Sequence, residues 1–132
     1  MKFVVDHALS AALALVVAAV MFGCGLPTHL EHGAAGRRQE RALLRAVQAV
    51  PDVQLIAGSA THRTIGYADV RESCAAKTTV DVRSVLGVDL VRSRLAGRML
   101  PHLDVEPIGD NKLRVQTLQT FGLNPFDWSC WQ

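Results

Sequence analysis

A chain of 132 residues, 49% of them apolar, has room for one small domain and no second. Its 14 basic residues against 12 acidic ones leave a net charge of +2, too even for a nucleic-acid-binding protein, whose contact face needs a concentrated basic stripe. Aromatic residues make up 5% of the chain, so a core short of large side chains would benefit from a covalent staple.

In chain order the first feature is Ala8 to Gly25, ALSAALALVVAAVMFGCG, 18 residues without a charge. Apolar side chains fall on every side of a helix here, rather than on the single face of a soluble one, which assigns the segment to lipid. Its length lies between a signal-peptide core with its cleavage region and a membrane span of about 20 residues. Lys2 supplies a short positive start, and the small residue Gly23 stands immediately before Cys24. Together these residues resemble a bacterial lipoprotein signal peptide, a resemblance confined to the first 24 positions. It implies that Cys24 is lipidated on its thiol, becomes the mature N-terminus and holds an exported domain to a membrane of the bacterial envelope. Two alternatives stay open: an uncleaved anchor carrying an exported domain, and a cytoplasmic domain or simple cleavage. Phe22 and the arginines Arg37, Arg38 and Arg41 beyond the segment, against Lys2 alone before it, favour those alternatives.

Residues 27–36, PTHLEHGAAG, mix proline, glycine and polar side chains without an apolar period and read as a tether. The expected organisation is therefore a signal peptide or anchor at 1–26, a tether at 27–36 and one domain at 37–132. Arg37 to Val50 is an amphipathic helix: Leu43, Leu44, Val47 and Val50 share one face, while Arg37, Arg41 and Arg45 follow one another at i, i+4 on another, with Pro51 as the stop. Val53 to Gly58 and the run from His62 to Val70 read as the two strands of a hairpin, and Thr78 to Val85 as a half-exposed strand. From Val88 to Leu100 a second helix would place Val88, Val91, Leu95 and Met99 on one face, ended by Pro101. LDVEPI and KLRVQTLQTF then form a hairpin around Gly109-Asp110-Asn111.

A shift of 50 residues lays Val50-Pro51-Asp52-Val53-Gln54-Leu55 over Leu100-Pro101-His102-Leu103-Asp104-Val105, each copy with a helix before and a hairpin after. The fold expected is α+β: two helices on a mainly antiparallel sheet, in the form of a duplicated αββ unit, preceded by the hydrophobic N-terminal helix.

Three cysteines leave an odd thiol in an exported protein, but if Cys24 carries lipid, Cys74 and Cys130 remain as a pair. Bonding them would close a loop of 55 intervening residues, worth about 4 kcal/mol in the chain-entropy account. Two reduced, buried thiols are the alternative. The final residues hold Phe121, Phe126, Trp128 and Trp131, four of seven aromatics. Packing over the sheet is the first expectation for them, and a partner-binding surface formed by Phe126, Trp128 and Trp131 is the second.

Catalytic chemistry has no signature in this chain. His29, Glu31 and His32 lack the HExxH spacing of a metal site, the serines lack a glycine-flanked elbow, and no glycine loop is built to cradle phosphate. No cofactor, metal or catalytic residue is expected. The sequence supports a small envelope domain, attached to the membrane by lipid at its N-terminus and acting by binding a protein partner or by structural support. Its rivals are a single-pass membrane component whose anchor makes the functional contact and a small enzyme whose site assembles from distant residues.

Overall fold

The computed structural model describes residues 2–65, 74–121 and 130, and has α+β architecture. The order is α1 (Lys2–Gln48), β1 (Val53–Leu55), β2 (Thr61–Ile65), β3 (Cys74–Ser84), α2 (Val88–Ala96), β4 (Asp104–Gly109) and β5 (Lys112–Phe121). Every strand pairing is antiparallel, in the order β1-β3-β5-β4, and β2 joins β3 on the same edge as β1. Both helices lie on one face of this sheet.

The core follows from alternation in the two long strands. Thr78, Val80 and Val82 of β3 stand opposite Thr117, Val115 and Leu113 of β5, and all six are buried. Leu43, Ala46 and Val47 of α1, Val50 just beyond its end, and Val91 and Leu95 of α2 close over them. Residues on the reverse face carry polar and charged groups, among them Asp81 and Arg114, joined by two hydrogen bonds of 2.8 and 3.0 Å.

Four expectations change. The stretch 27–36 is not a tether: α1 runs through it, and His32, Ala35 and Gly36 are buried. Residues toward the sheet recur at His32, Ala35, Gln39, Leu43 and Ala46, steps of three and four that keep one helical face on the strands and override the weak local propensity.

The first hairpin does not form. β1 and β2 do not pair with each other; both pair with β3, as one edge strand broken by a detour. Residues 56–60 stand opposite only Val80 and Asp81, and Gly58 at φ 73° gives the reversal a conformation that side chains disfavour. Ser59 fastens the detour, its hydroxyl donating to the Ile56 carbonyl at 2.6 Å and accepting from the Asp81 N–H at 3.1 Å. The two αββ copies thus differ, since only β4 and β5 make a hairpin.

β3 starts at Cys74, four residues before the expected Thr78, and from Thr78 onward it alternates buried with partly exposed residues, the half-exposed pattern expected of it. Finally, α2 stops at Ala96, with Gly97 as its C-cap, so Met99 leaves the helix with φ 54° and stands 96% exposed instead of joining Val91 and Leu95. The second hairpin forms as expected, with Asn111 in the left-handed region that asparagine tolerates and its carbonyl accepting from the Ser84 N–H at 2.9 Å.

Candidate functional site

The N-terminal half of α1 is the first candidate. Between Asp6 and Glu31 lie 24 residues with no Asp, Glu, Lys or Arg, and the helix offers one stretch long and apolar enough to cross a membrane, none of its most apolar window buried in the molecule. Leu9, Leu13, Leu15, Val16, Val17 and Phe22 are all exposed. This is an apolar N-terminal helix compatible with membrane attachment or with a signal sequence. Cys24 lies on it, exposed and outside the disulfide. Gly23, Cys24, Gly25 and Pro27 make this the least helix-favouring part of α1: each glycine costs about 1 kcal/mol and an interior proline about 3 kcal/mol relative to alanine.

Seven residues past Leu30 the outer face of α1 turns cationic. Leu26, Leu30, Arg37, Arg41 and Arg45 follow in steps of four, seven, four and four, so they share the face turned away from the sheet, with Arg38 beside them; all six are exposed. Two like-charged i, i+4 pairs, Arg37 with Arg41 and Arg41 with Arg45, cost a helix about 0.2–0.5 kcal/mol each. Arg41 donates from Nε to the Arg37 carbonyl at 3.3 Å, and Arg38, Arg41, Ala42 and Arg45 line an open depression of about 410 Å³. Between residues 26 and 48 the only carboxylates are Glu31, which is exposed, and Glu40, whose Oε2 pairs with Nδ1 of His62 on β2. That pair sits where Gly36 lets the helix and strand approach, the His62 ring lying 3.1 Å from where a Cβ would be.

At the other end of the sheet Cys74 is bonded to Cys130, and both are fully buried. The His32 ring stacks on Phe121 with centroids 3.9 Å apart and an interplanar angle of 12°. Phe121 is the register partner of Cys74, so helix, sheet and chain terminus are joined at one point. His32 was expected on a solvated tether; it is buried because α1 continues past residue 27. The ligand atoms of His32, Cys74 and Cys130 lie within 4.8 Å of one another, a juxtaposition that sequence spacing gave no means to find. Sulfurs in a disulfide are not thiolates, so in this state the trio offers a metal only the imidazole. The aromatic residues expected as a partner surface, Phe126, Trp128 and Trp131, lie outside the described residues.

A groove of about 300 Å³ crosses the sheet's open face, lined by Ile65, Lys77, His102, Asp104, Gln116 and Leu118 among others. A hydrogen bond from the Gln116 amide at 3.1 Å, with further ones from the Val105 N–H and Arg92, holds Asp104 below its ordinary carboxylate range against slight desolvation. Arg114, bonded to Asp81 on the same face, is held above its ordinary value by that pairing. Neither shift yields an acid or base poised near neutrality. Compared with protein-family models, curated proteins and solved structures, the chain matches none.

Proposed function

We propose that this chain is a membrane-attached domain of a bacterial envelope, lipidated at Cys24, which acts by binding or supporting a partner rather than by catalysis. One observation carries the attachment: the N-terminal half of α1 leaves its apolar side chains uncovered along the whole membrane-length window. In water that surface is costly, whereas in lipid, or after removal with a signal peptide, the cost disappears. Lipidation at Cys24 is supported by the helix-disfavouring run around it, because a peptidase requires its substrate unwound and Gly23 to Pro27 unwinds most cheaply. The bonded Cys74–Cys130 pair fits an oxidising compartment.

Mass analysis of the native protein tests this. A lipidated chain begins at residue 24 with an added diacylglyceryl mass and incorporates labelled acyl chains, and Cys24→Ser abolishes both. An unmodified full-length mass with membrane attachment intact overturns lipidation and leaves the second reading, a single-pass component held by α1 itself. The 24 residues without Asp, Glu, Lys or Arg favour that reading, being long enough to span without cleavage.

A further inference from the structure

We propose that the outer face of α1 lies on the membrane through anionic phospholipid headgroups, with Arg37, Arg38, Arg41 and Arg45 as the contacts and Leu26 and Leu30 as the apolar lead-in. This deepens the attachment reading and rests on it. Attachment by itself says nothing of how the domain stands on the bilayer.

The argument begins with the placement of the face. The sheet is packed on the opposite side of α1, so in the chain that begins at Cys24 these residues form the side of the domain that can lie flat on a surface. Leu26 and Leu30 are 39% and 60% exposed, and they share this face with the arginines at the end nearest Cys24. An apolar patch giving way to arginines is the pattern of an interfacial helix, its leucines entering the acyl boundary and its guanidinium groups reaching phosphate.

Charge supplies the second line. Arg37, Arg41 and Arg45 repel one another along the helix, and the nearby Glu40 is turned to His62 and does not offset them. A layer of phosphates removes that cost, and the depression bounded by Arg38, Arg41 and Arg45 presents several guanidinium groups to one anion. Headgroup phosphate is favoured over an acidic protein because lipid on Cys24, at the start of this face, already holds it beside a bilayer, where the arginines need no separate recruitment.

The full native chain is reconstituted into vesicles of phosphatidylcholine alone or with phosphatidylglycerol, each doped with a dansyl-headgroup lipid. Flotation reads attachment, and energy transfer from the native tryptophans to dansyl reads the domain's posture. The expected result is flotation with both vesicles, with transfer that changes when phosphatidylglycerol is present and returns to the phosphatidylcholine value in high salt. Replacing all four arginines by glutamine should erase the dependence on lipid charge while leaving flotation and the circular dichroism spectrum unchanged. Replacement by lysine should preserve it, and each single glutamine variant should weaken it by roughly fivefold. Flotation with transfer indifferent to lipid charge overturns this inference alone. Failure to float with either vesicle overturns it together with the attachment reading.

Discussion

The two halves of α1 share one backbone geometry and differ in what covers them. From Asp6 to Leu30 almost every described side chain is exposed although most are apolar; from His32 to Gln48 the same helix alternates between a buried apolar face and an exposed cationic one. Helix periodicity explains the second half and not the first, because periodicity records where a helix meets the sheet and an all-round apolar helix meets lipid. The two halves should therefore respond differently to mutation.

The largest break in that comparison comes from the disulfide that pins the sheet end beneath the packed half. Cys74→Ser with Cys130→Ser should lower domain stability by about 4 kcal/mol, read by denaturant unfolding, while leaving membrane association unchanged. Next, Leu43→Ala empties a fully buried site and should cost about 2–5 kcal/mol, whereas Leu13→Ala, at a site 66% exposed, should move the unfolding midpoint hardly at all. Equal losses from the two leucines would mean that the halves are not energetically distinct.

A finer contrast lies under the packed half. Thr117 and Thr78 are register partners, both buried, but Thr117 accepts a 2.7 Å hydrogen bond from the Gln39 amide, while the Thr78 hydroxyl has no partner among the described residues. Thr117→Val should cost about 1–3 kcal/mol by stranding the amide, and Thr78→Val should be neutral or stabilising by up to about 1 kcal/mol. Thermal melts of the two variants check the opposite signs.

The smallest effect belongs to the edge of the sheet away from α1. Asp104 titrates below its ordinary 3.8 in the folded chain, so its contribution is full above that value and is lost as pH falls through it toward the folded value. The stability difference between the native chain and Asp104→Asn should be steady near neutrality, amount to a few tenths of a kcal/mol for so exposed a group, and vanish in acid.

Local pattern made the core helix, the second hairpin and the fold class legible, because Leu43, Val47, Val91 and Leu95 repeat at helical spacing and Asp110-Asn111 carries its own turn chemistry. Three features were decided by tertiary contact instead. The path of α1 through residues 27–36 depends on His32 and Ala35 finding the sheet, which no local signal announces. The collinear β1 and β2 arise because β3 supplies an edge for both, and a turn signal at Gly58-Ser59 reads the same for a hairpin as for a detour. The meeting of His32, Phe121, Cys74 and Cys130 joins parts of the chain far apart in sequence. The cysteine pairing itself was legible by counting, since it needs only the assignment of Cys24.

The continuity of α1 also has a mechanical meaning. While Gly23 to Pro27 stays helical, α1 is a lever whose short arm is the apolar segment and whose load is the sheet. In the form that retains this segment, a bilayer too thin for it tilts the helix, and the same angle is imposed on the groove at the sheet's open face. Cleavage before Cys24 removes the short arm, and the orientation of that groove then becomes independent of membrane thickness.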